Sequence, residues 1–223
     1  MLLAIDTATS LTGIALYDGR GPLAECVWES GRNHTAQLLP QLDRLLGYAG
    51  VERGALRAVG VALGPGSWSG LRVGMSVAKG LALAGGLALL GISTLEALAY
   101  QHAQAGVPIY PLIRLGRERF ATAMFQFEDD LARQGPDRNL TLAELCAEVE
   151  DRGLFCGDLD EGAIAQIQRA LGPRARFPRP AANLRRPAFL AELAWRRLTG
   201  GERDDLVTLE PIYLGEPVKP RSE

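Results

Sequence analysis

Lysine is almost missing from this chain. It occurs only at Lys79 and Lys219, and arginine carries nearly all the basic charge. With Lys+Arg at 24 against Asp+Glu at 26, the formal net charge is −2. That balance excludes the overall basic excess by which proteins grip a phosphate backbone. The Arg-rich stretch at 174–186 and the pair Arg196-Arg197 read as solvated loop and helix end rather than RNA contact. Cysteine is sparse too. Cys26, Cys146 and Cys156 are odd in number and contain no Cys-x-x-Cys, which excludes a disulfide framework and any common zinc spacing. Reduced thiols in a cytosolic protein are expected. No apolar run is long enough to span a bilayer: the uncharged stretch 80–95 is short and broken by Gly80, Gly85, Gly86 and Gly91. The first residues reach Asp6 with no basic region before them, so no signal peptide is expected.

Histidine is missing where hydrolytic chemistry needs it. His34 and His102 are the only two, far apart, so neither His-x-x-x-His nor His-Glu-x-x-His occurs. Ser67 in Gly-Pro-Gly-Ser-Trp and Ser69 in Ser-Trp-Ser-Gly both miss the Gly-x-Ser-x-Gly elbow of a serine nucleophile.

What is present is hydrophobic patterning. Short apolar runs at 2–6, 12–17 and 23–29, the last two separated by Asp18-Gly19-Arg20-Gly21, predict three strands in a meander. Leu38, Leu39, Leu42, Leu45 and Leu46 recur at helical spacing, with Asn33 as N-cap and Gly47 as terminator. A strand at 59–63, a helix at 69–84, a strand at 87–92 and a helix at 94–105 follow. This β-β-β-α-β-α-β-α order is that of the ribonuclease H-like or actin-like ATPase module. The second half restarts with strands at 107–112 and 120–127. After them come a helix at 142–151, a strand at 154–156, and helices at 161–171 and 186–198. An α/β protein of two subdomains is expected, divided as 1–105 and 106–216, with 217–223 a polar tail.

Two loops and one helix face are candidates for chemistry or contact. The Asp6-Thr7-Ala8-Thr9-Ser10 turn suits a phosphate loop, with Asp6, Thr7 and Thr9 as weak nucleotide-binding candidates; a hairpin turn satisfying its own backbone explains it as well. The Gly64–Gly70 loop leads into a helix whose N–H groups favour an anion, but no Gly-Lys-Ser/Thr follows, and Ser67 or Ser69 as N-cap explains it equally. Gly70, Gly74 and Ala78 make one face of that helix nearly free of bulk. Such a face packs on the chain's own sheet or against a partner helix.

Specific segments resemble the TsaB family. They are Ala4-Ile5-Asp6-Thr7-Ala8-Thr9, His34-Thr35-Ala36-Gln37-Leu38-Leu39-Pro40, and above all Gly64-Pro65-Gly66-Ser67-Trp68-Ser69-Gly70-Leu71-Arg72-Val73-Gly74. Gly80-Leu81-Ala82-Leu83, Gly91-Ile92-Ser93-Thr94-Leu95 and Glu210-Pro211-Ile212-Tyr213-Leu214 follow the same pattern in order. Trp68 and Ser69 stand where the family usually has Phe and Thr, and Arg114 replaces an acid at the start of the second half. The resemblance is dense to Leu98 and sparse beyond.

The resemblance implies an actin-like fold and a non-catalytic role beside TsaD, the subunit that transfers a threonylcarbamoyl group to the adenosine beside the anticodon of tRNA. It implies TsaE as a further bacterial partner, a homodimer when TsaD is absent, and tRNA contact only through the complex. No cofactor is expected on this chain; ATP or ADP and a metal ion are expected in the partner or complex. The expected docking face comprises the two helices at 34–46 and 69–84, with His34, Leu38, Leu39, Leu46, Trp68, Gly70, Arg72, Gly74, Met75 and Ala78 as partner-binding residues. A bulky residue at Gly74 is expected to separate the partners without harming the fold. Two rivals stand beside this reading: a nucleotide-dependent enzyme of the actin-like kinase group, and a glycoprotease-like hydrolase.

Overall fold

The computed structural model describes residues 1–31, 33–103, 106–116 and 118–214. Expectations that fall on Ala105, Arg117 and the tail 217–223 lie outside them. The first half contains β1 (Leu2–Asp6), β2 (Leu11–Tyr17), β3 (Pro22–Glu29), α1 (His34–Ala49), β4 (Ala58–Gly64), α2 (Trp68–Gly85), β5 (Ala88–Ser93) and α3 (Thr94–Tyr100). The second contains β6 (Ile109–Arg114), β7 (Arg119–Phe127), β8 (Leu131–Thr141), α4 (Leu142–Glu148), β9 (Gly153–Gly157), α5 (Glu161–Leu171), β10 (Ala175–Arg176) and α6 (Pro187–Thr199).

Each half forms one mixed sheet. The first has the order β3-β2-β1-β4-β5 and the second β8-β7-β6-β9-β10, the same arrangement of equivalent strands. In both, the meander pairs antiparallel and the later strands run parallel to the first. The chain is therefore a structural repeat whose halves share order and topology without visible sequence likeness.

Strand periodicity sorts the first core onto two sides. Leu3, Ile5, Val59 and Val61 point to one face, where Leu38, Leu42 and Leu45 of α1 and Met75, Ala78 and Ala82 of α2 cover them. Leu2, Ala4, Ala58 and Ala62 point to the other, against Leu190, Ala191 and Ala194 of α6. Small residues there let α6 approach closely. A Cβ on Gly60 would come within 2.8 Å of the Ala194 methyl, and one on Gly13 within 3.1 Å of Pro187.

The third helix of each half serves the other half. α6, from the second, packs on the first sheet, while Leu95, Leu98 and Ala99 of α3 pack on Ile109, Ile113 and Phe125 of the second. Residues 203–214 also return to the first sheet: Gly91 N donates to Asp204 Oδ2 at 2.6 Å, and Ile212 N to Leu63 O at 2.7 Å. The strands divide between 1–105 and 106–216, but the packing of α3, α6 and this C-terminal arm does not respect that boundary.

Other differences are local. β8 and the two-residue β10 have no counterpart in the sequence reading. β8 is an exposed edge strand carrying Arg133, Gln134, Asp137 and Arg138, so it lacks apolar alternation, and Gly135-Pro136 resembles a turn. α1 continues through Gly47 and is closed by Gly50, whose φ of +63° suits a glycine and whose N–H caps Gly47 O and Leu46 O. Asn33 occupies the N-cap position of α1 without a side-chain cap bond. α3 ends at Tyr100 rather than 105. Among the described residues no helix is long and apolar enough to cross a membrane.

Candidate docking face and the cleft behind it

α1 and α2 cover the same side of the first sheet. Ser67 caps α2 by accepting from Gly70 N at 3.3 Å. Several expected contact residues turn inward. Leu38, Leu46, Met75 and Ala78 belong to the core beneath the helices. His34 is buried, with Nδ1 2.6 Å from Thr12 Oγ1, and burial pushes its pKa down. Gly70 and Gly74 are buried against the β1–β2 loop: Thr7 Oγ1 donates to Gly70 O at 2.8 Å, and a Cβ at either glycine would overlap Thr7. The small-residue stripe thus seats α2 on its own chain. The expected harmless Gly74 substitution is corrected accordingly, because a side chain there collides with the fold.

The outward residues overlap the expected contact set only in part. Leu39 is 48 % exposed, Leu83 75 % and Tyr48 88 %. Between the helices runs a groove of about 620 Å³ lined by Leu39, Leu42, Leu46, Leu81, Ala84 and Leu87, with the Asp43–Arg53 ion pair (2.7 Å) at its rim. The flank of α2 carrying Trp68, Arg72 and Lys79 is occupied by the C-terminal arm. Lys79 Nζ donates to Val207 O at 3.3 Å, Tyr213 packs on Trp68 with ring centroids 4.1 Å apart, and Arg72 donates from Nε to Tyr213 Oη at 3.2 Å. Trp68 remains half-exposed and Arg72 exposed. Of the expected contact set, Leu39, Trp68 and Arg72 reach the surface. Leu83 and Tyr48 were missed. Leu83 does leave a sequence signal, an apolar residue on the helical stripe of Arg72, Ser76 and Lys79.

Behind the N-terminal end of α2 lies a cleft between the sheets, a cavity of about 860 Å³ lined by Thr9, Ser10, Ser67, Arg114, Gly157 and Asp158 among others. The candidate phosphate-loop side chains are already committed. Arg185 Nε donates to Asp6 Oδ2 at 2.5 Å, and its Nη2 reaches Asp6 Oδ1 at 3.3 Å and Thr9 Oγ1 at 3.0 Å. Thr7 is held by Gly70. None of Asp6, Thr7 and Thr9, the weak nucleotide-binding candidates, presents an unengaged side chain. Arg185 comes from the stretch read as solvated, yet it is buried; nothing local in the sequence marks it. Opposite, Asp158 Oδ2 accepts from Arg114 N at 3.1 Å; burial raises the Asp158 pKa and the Arg185 charge opposes that rise. Arg114 pairs with Asp160 at 2.8 Å. Among the described residues no three His, Cys, Asp or Glu side chains gather to hold a metal.

Two repeated sheets exchanging their third helices around a cleft define an α/β protein of the actin-like ATPase, or ribonuclease H-like, fold. The solved structure of YeaZ from Pseudomonas aeruginosa superposes with a TM-score of 0.80 over 96 % of this chain and 99 % of that one, at 24 % identity. A family model described as TsaD, tRNA N6-adenosine threonylcarbamoyltransferase, matches residues 28–192. The tRNA threonylcarbamoyladenosine biosynthesis protein TsaB of Bacillus subtilis is 31 % identical over 217 residues, covering 96 % of this chain and 93 % of that protein. That of Escherichia coli is 37 % identical over 98 residues, covering 44 % and 42 %. The chain belongs to the TsaB family.

Proposed function

We propose that this chain is a non-catalytic subunit in the synthesis of N6-threonylcarbamoyladenosine in tRNA, and that it supports a TsaD subunit by docking through α1 and α2. One observation carries the reading: an apolar groove lies open between two helices, with Leu39 half-exposed on its wall, while Leu83 and Tyr48 stand exposed elsewhere on the same two helices. Apolar area of this kind is costly to leave in water and marks interaction surfaces. A stable contact removes about 1,200–2,000 Å² from water, dominated by a few central side chains. Similar proteins of Bacillus subtilis and Escherichia coli carry the pathway's name, and a matching family model is that of the transferase itself. A catalytic relative of the same fold offers an equivalent helix pair, so four helices form the contact.

On this reading the protein works in the cytoplasm, pairs with itself through the same face when TsaD is absent, meets TsaE and tRNA only within the assembly, and leaves nucleotide and metal to its partners. The engagement of Asp6 by Arg185 supports this over a kinase-like role, which needs the cleft carboxylate for magnesium-nucleotide. The decisive experiment is copurification with TsaD of wild type and of Leu83→Asp, with modified nucleoside measured after complementation of a TsaB-depleted bacterium. Loss of both binding and nucleoside in the variant is expected. Normal binding by Leu83→Asp, or micromolar magnesium-ATP binding by the isolated chain, would count against the proposal.

A further inference from the structure

We propose that Arg185 is a positioning residue for the docking face: an internal cation that holds the Asp6–Ala8 loop in the shape on which the first turns of α2 rest. The inference depends on the reading of α1 and α2 as the docking site, and adds a residue outside that surface.

The connection is a continuous chain of short contacts. Arg185 binds both Asp6 oxygens and Thr9 Oγ1. Asp6 Oδ1 in turn accepts from Ala8 N at 3.0 Å, so its orientation shapes the loop. The loop then meets α2 at two points: Ser67 N donates to Ala8 O at 2.6 Å, and Thr7 Oγ1 donates to Gly70 O at 2.8 Å. At Gly66 and Gly70 the loop carbonyls of Ala8 and Thr7 lie so near that neither glycine has room for a Cβ. Loop and helix start therefore move together. The side chains of Arg185 and Asp6 are 7 % and 5 % exposed, so water cannot take over either charge cheaply.

Arg185 is itself fixed from both halves. Two residues before it, Asn183 accepts from Gly157 N at 2.8 Å and donates to Gly157 O at 2.9 Å, a pair of hydrogen bonds to the second sheet. Immediately after it, Arg186 N donates to Gln101 Oε1 at 3.1 Å. The guanidinium is thus delivered to the first half by a segment anchored on the second. Without it, the buried Asp6 carboxylate must draw in water or an external cation. Each rearranges the loop beneath Ser67 and Gly70.

The test combines hydrogen exchange with partner binding on the full chain. Arg185→Ala is expected to speed amide exchange in residues 66–74, and to weaken TsaD binding by about tenfold, the factor that 1.4 kcal/mol represents. Millimolar guanidinium ion should restore both, with sodium at equal ionic strength having no effect. Wild-type exchange and affinity in Arg185→Ala, or losses that guanidinium does not reverse, would overturn the inference. If the alanine variant does not fold, Arg185→Lys carries the test: intermediate exchange and affinity are expected, and wild-type values in both would overturn it. Leu83→Asp separates the two ideas. If that variant binds TsaD normally, the docking reading fails, while faster exchange at 66–74 in the Arg185 variants still reports the latch.

Discussion

Gly74 shows how a single position acquires its meaning from a neighbour far away in the chain. Spaced four residues from Gly70 and Ala78, it belongs to a bare stripe that two different contacts explain equally well. The Thr7 hydroxyl decides between them by occupying the space a Cβ needs. Gly74→Leu is therefore expected to destabilise the protein by about 1–3 kcal/mol or more, as overpacking does, seen as a lowered urea midpoint without TsaD present. Asp6→Ala leaves Arg185 buried without its counter-charge and should cost about 3–5 kcal/mol in the same measurement. His34 makes stability depend on pH. Burial lowers its pKa below the ordinary 6.5, so the folded state binds fewer protons than the unfolded one. The stabilisation is then full above pH 6.5 and is lost as pH falls through the lower folded value. His34→Gln should flatten the decline in Tm between neutral and mildly acidic pH. At this scale Leu39, Trp68 and Arg72, expected on the outer side of the two helices, do reach the surface. Arg185 was not legible in the sequence, because an arginine in a polar loop looks the same whether it meets water or a buried carboxylate.

At the scale of elements, α1 and α2 were readable because each is held by one apolar stripe, and periodicity records a stripe directly. The groove between them was not readable. It depends on how far apart two helices sit on a shared sheet, which side-chain volumes and the α2 seat on Thr7 set together. Leu83→Asp should change folding stability by less than about 0.5 kcal/mol, since the side chain points to solvent, while disrupting docking. Circular dichroism melts and a TsaD pull-down on the same sample check both parts. β8 escaped notice for the converse reason. An edge strand with water on much of its length needs no alternating apolar residues, and backbone pairing to β7 alone defines it.

For the whole molecule, the exchange of α3 and α6 makes each half incomplete without the other. The first core lacks one cover until Leu190, Ala191 and Ala194 arrive, and the second depends in the same way on Leu95 and Leu98. A single cooperative transition is expected, with tryptophan fluorescence and far-ultraviolet circular dichroism coinciding through urea unfolding. Two separated transitions would show that the sheets fold as independent bodies.

The order of most elements, the β-β-β-α-β-α-β-α unit of the first half and the family were settled by the amino-acid sequence alone. Each rests on patterns that neighbouring residues create by themselves: apolar periodicity, turn glycines and a long glycine-rich segment. Which helix covers which sheet, which side of α2 faces inward and what neutralises Asp6 were decided only in the tertiary structure. Those outcomes depend on pairs such as Thr7 with Gly74 and Asp6 with Arg185, distant along the chain, whose energies come from shape and burial that no local pattern contains.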